Sequence, residues 1–175
     1  MTADLARSFA DTFSHHVCQM DDVQLHYVMG GSGEPLLLLH GWPQTWFEWR
    51  RVMPALAGRY TVIAPDLRGL GDSSRPVVGY DLRTLSGDIR GLVEHLGLGP
   101  IRLVGHDLGG PVAGTISRRI SHRGQFFPQF VRRQLEELAE AHLGHLQPHQ
   151  PVRRLIFAAA GPEPTQVPVQ TLQVQ

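Results

Sequence analysis

The stretch Leu103 to Pro111, LVGHDLGGP, constrains this chain more than any other. The apolar run Ile101 to Val104 reads as a buried strand, and a helical pattern starts directly after the glycines. Only a sharp turn fits between them, with Asp107 at its centre and Gly105 and Gly109 two residues to either side. Glycines at those places let strand and helix backbones approach closely and permit dihedrals that a Cβ would oppose. The side chain at the centre is therefore lifted above the end of the strand, and here it is a carboxylate.

The chain before this turn repeats the same rhythm. Val17 to Met20 and Val23 to Met29 read as a hairpin about Asp21-Asp22, with Val23, Leu25, Tyr27 and Met29 on one face. The Gly30-Gly31-Ser32-Gly33 cluster lacks the lysine of a phosphate loop and precedes a strand, so it reads as a plain turn. Leu36 to Leu39 is a continuous apolar run ending in His40-Gly41-Trp42-Pro43. Such a run suits a strand buried on both faces of a parallel sheet. Apolar residues then recur at helical spacing over Trp46 to Ala57, and Tyr60 to Ala64 supplies another strand. A loop rich in Gly, Pro and charge, Pro65 to Pro76, leads to a helix over Asp81 to Leu96 whose stripe is Leu82, Leu85, Ile89, Leu92, Val93 and Leu96. Alternation of this kind predicts an α/β fold, a mostly parallel sheet with helices on both faces. Function is expected at the carboxyl ends of the strands, where His40 to Pro43 and Asp107 fall.

Composition narrows the class. A chain of 175 residues holds one ordinary core, and 16 basic residues, all Arg, balance 16 acidic ones. No nucleic-acid or membrane-surface footprint follows from that balance. Cys18 stands alone in a strand, which fits a buried apolar role and a reducing compartment. No run approaches the roughly 20 apolar residues of a spanning helix, and the N-terminus has no apolar secretory segment, so a cytoplasmic protein is expected. His142, His145 and His149 hint at metal spacing, but no carboxylate or Cys completes a ligand set. No metal and no cofactor are expected.

Three motifs in order, HGWPQ, DLRGLGDSSRP and GHDLGG, resemble the epoxide hydrolase and haloalkane dehalogenase branch of the alpha/beta-hydrolases, over roughly Val23 to Ala113. The resemblance implies that Asp107 is the nucleophile. A carboxylate can attack a saturated carbon from behind without prior deprotonation, as opening an epoxide or displacing a halide requires. It further implies an oxyanion hole from the amides of Trp42 and Leu108, with His40 and Gly41 shaping the loop that carries the first. His106, Asp66 and Arg68 are read as structural, the carboxylate anchoring the Gly-rich loop. Leu108 offers no cation to a substrate carboxylate, which leaves a small apolar epoxide or neutral organohalide as substrate.

Past Ala113 the likeness ends. The reading is a mobile lead-in at 1–14, the N-terminal part of the hydrolase core at 15–113, a divergent insertion at 114–151 with a helix over Val131 to Leu146, the next core strand at 152–160, and a disordered tail at 161–175. Gly114, Gly124 and Pro128 are expected to break helix continuity there. The fold is thus a partial alpha/beta-hydrolase without cap and later βα units, and the triad's acid and water-activating histidine are not found. The functional expectation is epoxide opening through an aspartyl ester that persists. The alternatives are a non-catalytic hydrolase-fold remnant or interaction module, associating through exposed sheet edges, and a haloalkane dehalogenase.

Overall fold

The structure, a computed structural model, describes residues 9–99, 101–121, 155–157 and 170–172. Its strands are β1 (Phe13–Gln19), β2 (Gln24–Gly31), β3 (Glu34–Leu39), β4 (Tyr60–Pro65), β5 (Arg102–His106), β6 (Leu155–Phe157) and β7 (Gln170–Leu172). The helices are α1 (Met53–Ala57), α2 (Leu82–His95) and α3 (Gly109–Ser121), with a 3-10 helix at Trp46–Trp49. All strands join one sheet in the order β1-β2-β4-β3-β5-β6-β7.

Parallel pairing holds the centre, with β3 between β4 and β5. The hairpin β1–β2 and the β2–β4 pair are antiparallel. Period-two alternation along β3 divides the interior into two cores. Leu36 and Leu38 pack with Trp49, Met53 and Leu56 on one face. Leu37 and Leu39 pack with Leu85, Ile89 and Leu92 of α2 and Val112 and Ile116 of α3 on the other. All four leucines are fully buried, so truncating any one to Ala costs about 2–5 kcal/mol.

α2 shows how local chemistry ends an element. The Asp81 carboxylate accepts from the Arg83 and Thr84 amides at 2.9 and 3.1 Å, satisfying two donors of the first turn. The Thr84 hydroxyl, donating to the other carboxylate oxygen at 2.7 Å, together with these amide bonds holds its pKa below the ordinary carboxylate value. At the other end Gly97 has φ 61°, and the amides of Gly97 and Leu98 return to the carbonyls of Glu94 and Val93. Leu82, read into the buried stripe, is instead exposed at the helix start.

Several expectations need correction. Residues 9–12 are helical and Phe13 and Ser14 open β1, so the lead-in is structured at least from residue 9. Phe13 is buried, and the Phe9 ring stacks on Phe13 and Trp46. The helix read over Trp46 to Ala57 is two short pieces, the second starting only where Pro54 can occupy the first turn. Gly114 does not break α3, which runs on to Ser121, since a glycine costs a helix only about 1 kcal/mol and packing against α2 and the sheet outweighs that. β6 falls inside the predicted 152–160 strand but runs antiparallel to β5, pairing Gly105 with Ile156. Gln170–Leu172, within the segment read as a disordered tail, forms β7 on β6. The helix at Val131 to Leu146 and His142, His145 and His149 lie outside the described residues. Among the described residues no helix is long and apolar enough to cross a membrane.

Candidate active site

In the β3–β5 register Leu39 lies opposite Gly105, so the two strands end side by side. The chain leaving β3 at His40-Gly41-Trp42 therefore meets the chain leaving β5 at His106-Asp107-Leu108. Asp107 is exposed and has φ 49°, the one positive φ of a non-glycine residue among those described. A Cβ at Gly105 would run into the carbonyl of Gly109, and one at Gly109 into the carbonyls of Leu39 and His40. Both glycines are thus demanded by close backbone approach. Gly41 faces the same constraint, because a Cβ there would sit 2.6 Å from the Asp107 Cβ.

This closeness brings the Trp42 amide to the Asp107 carboxylate, where it donates to Oδ1 at 3.0 Å. Trp42 itself is 68% exposed. Leu108 follows in the turn, and its carbonyl receives the Val112 amide as α3 begins.

His40 is buried, with the Leu67 amide donating to Nε2 at 3.0 Å. That nitrogen must be unprotonated, so Nδ1 carries the hydrogen and donates it to the Gly41 carbonyl at 2.8 Å. Burial pushes the imidazole pKa below its ordinary 6.5, against smaller opposing effects from the Gly41 carbonyl, Asp66 and Glu48. A neutral ring results, so its 4.0 Å approach to Asp66 is not an ion pair. Glu48, in the 3-10 helix, accepts from the Gly41 amide through Oε2 at 3.3 Å and pairs with His106 Nδ1 through Oε1 at 2.5 Å.

The loop after β4 is held as the sequence suggests. Asp66, fully buried, accepts from the amides of Trp46 (2.7 Å) and Asp72 (3.0 Å) and pairs with His26 Nδ1 (2.8 Å). Arg68, also buried, makes two-pronged ion pairs with Asp88 of α2 and with Asp22 of the β1–β2 turn, all at 2.7–2.8 Å. These hydrogen bonds push the guanidinium pKa far up and draw that of Asp22 down. His26, Asp66 and Asp72 offer ligand atoms within 4.8 Å of one another. The Asp66 oxygens are already occupied by two amides and an imidazole, so the cluster is a hydrogen-bond hub.

The structure thus gathers Asp107, Trp42, Gly41 and His40 at one place, with Leu108 beside them. Sequence reading missed Glu48, whose only signal was an acidic residue among the aromatics after HGWP. It also missed His26, whose Nε2 lies 2.8 Å from His15 Nδ1. Cys18 is buried, which raises its thiol pKa and fits the apolar role read for it.

With this geometry in hand, comparison with known proteins defines the class: the alpha/beta hydrolase fold profile matches residues 34–133, and the chain belongs to that family. Within it the similarity points to epoxide hydrolase-like members. The chain is 58% identical over 100 residues to the soluble epoxide hydrolase of Corynebacterium sp. (strain C12), covering 57% of this chain and 35% of that one. It is 47% identical over 103 residues to a fluoroacetate dehalogenase of Burkholderia sp, covering 56% and 34%. The solved structure of the ligand-free epoxide hydrolase CorEH superposes with a TM-score of 0.59 at 41% identity, over 77% of this chain and 53% of that one. The chain spans about a third of the length of these two curated relatives. The fold is accordingly a partial alpha/beta-hydrolase fold.

Proposed function

We propose that this chain performs aspartyl-ester chemistry on a small apolar epoxide, with Asp107 as nucleophile and the turn at Gly105–Gly109 as its elbow. The observation carrying this reading is the Trp42 amide 3.0 Å from Asp107 Oδ1, on an exposed carboxylate held at positive φ. In this reading Oδ2 attacks an epoxide carbon from the side opposite the ring oxygen. The C–O bond breaks, and the oxygen leaves with its electron pair and takes a proton from solvent. Oδ1 becomes the ester carbonyl oxygen while still facing the Trp42 amide. Water attack on Cγ then places the negative charge on that same oxygen, with no donor having to move. The Leu108 amide serves as the second donor. Collapse breaks the acyl bond and releases a diol carrying the former Oδ2, and the oxygen of water restores the carboxylate.

Ester formation needs no base, whereas release does. Among the described residues the buried histidines are committed elsewhere: His26 to Asp66, His40 to Gly41 and Leu67, His106 to Glu48. None of them is assigned as that base, so the alkylated state is expected to accumulate. The relatives named for epoxide hydrolysis and fluoroacetate dehalogenation both suit a carboxylate nucleophile. Leu108 favours neutral substrates, and epoxide over organohalide. The lone buried Cys18 suits a reducing, cytoplasmic setting.

The test is intact-protein and peptide mass spectrometry after incubation with styrene oxide. An adduct of the epoxide's full mass on Asp107, absent in Asp107→Asn, is expected. An unmodified protein would favour the non-catalytic module, and an adduct only with a 1-haloalkane would favour dehalogenation.

A further inference from the structure

We propose that Glu48 is a positioning residue for the deacylation step, holding the hole loop and the elbow as one unit. The inference rests on the ester reading above and assigns a role to a side chain that touches no reacting atom in it. Gly41 lacks a Cβ, and its peptide groups could otherwise adopt several orientations. The carbonyl of Gly41 is fixed by His40 Nδ1 at 2.8 Å and by the Gln44 amide at 2.9 Å. Its amide is fixed by Glu48 Oε2 at 3.3 Å. With both ends of Gly41 tied, the next amide, that of Trp42, has one direction, which is toward Asp107. The other oxygen of Glu48 grips His106, the residue immediately before Asp107, through a charge-assisted contact of 2.5 Å. One carboxylate thus spans the loop after β3 and the end of β5.

Attack by Oδ2 on an epoxide needs little from the hole, since the developing charge is on the leaving oxygen. Attack on the ester carbonyl needs the hole fully formed. Loss of the Glu48 span should therefore slow deacylation far more than alkylation, a split that general destabilisation would not produce.

The full chain is alkylated on Asp107 with styrene oxide, freed of reagent, and treated with hydroxylamine. The amine nitrogen attacks Cγ, builds the same oxyanion, and leaves a hydroxamate on Asp107 as the diol departs. In Glu48→Ala this aminolysis is expected to fall about tenfold or more, the scale of loss that small misplacements bring. Alkylation by styrene oxide should change much less, and Glu48→Gln, which keeps an oxygen for the Gly41 amide, should recover most of the aminolysis rate. Should Glu48→Ala not fold, Glu48→Asp decides, because its carboxylate is one methylene too short for the span and should show the same selective slowing. Equal aminolysis in wild type and the folded variant overturns the role of Glu48 while leaving the ester reading intact. Failure of wild type to be alkylated on Asp107 overturns both.

Discussion

The backbone at Asp107 can be weighed without any substrate. Left-handed dihedrals cost an L-residue with a Cβ roughly 1–2 kcal/mol, and φ 49° places Asp107 among them. Asp107→Ala and Asp107→Gly both remove the carboxylate, so both lose the bond from the Trp42 amide equally. They differ in the Cβ. Glycine removes the steric penalty, but its freer unfolded chain takes back about 0.4–1 kcal/mol. The difference leaves Asp107→Gly more stable than Asp107→Ala by roughly 0.5–1 kcal/mol, or about 1–4 °C for a domain of this size. Urea denaturation of the two variants at one pH, with equal m-values, reads this directly. An alanine variant as stable as the glycine variant, or more so, would show that no strain is stored at the turn and would remove the physical case for an elbow.

Further outcomes follow from neighbouring geometry. Gly41→Ala puts a methyl 2.6 Å from the Asp107 Cβ, so loop and turn must part; hydroxylamine cleavage of the Asp107 ester should fall about 100-fold by mass spectrometry and alkylation much less, with only about 1–3 kcal/mol lost in denaturation. Arg68→Ala should cost about 3–5 kcal/mol because Asp88 keeps a buried charge without its partner, whereas Asp22→Asn, at an exposed end, should cost far less; similar losses would refute this division. His40 binds its proton less readily folded than unfolded, so between its lowered pKa and 6.5 the unfolded chain carries more protons and stability falls as pH falls. The slope is at most about 1.4 kcal/mol per pH unit, begins near pH 6.5 and should flatten in His40→Gln, as urea titrations from pH 7.5 downward would show. β1 ends the sheet and exposes Val17, so size-exclusion chromatography should show concentration-dependent self-association, reduced by Val17→Lys; a monomer at every concentration would rule it out.

Much of the architecture is legible in local sequence. The hairpin about Asp21-Asp22, the buried Leu36–Leu39 strand and the glycine-flanked turn at Asp107 each announce themselves through period, run length or turn chemistry. The loop-anchoring role of Asp66 and Arg68 is also readable, though their partners are not. Where the local rule misleads, packing overrides it. Gly114 stays within α3 because the apolar side chains around it are buried against α2 and the sheet.

The sequence by itself determined which residues turn, which alternate and where a carboxylate stands at the end of a strand, because those properties depend on neighbours a few positions away. Tertiary structure alone decided that the Trp42 amide reaches Asp107, that Glu48 joins Gly41 to His106, and that Arg68 is shared by Asp22 and Asp88. Apart from Gly41 and Glu48, seven positions apart, those partners lie 20 or more residues apart along the chain, and the pairings depend on the register of β3 against β5 and on helices folding back over the sheet. Burial then selects the protonation state of His40 and confines Gly41, which no local pattern encodes.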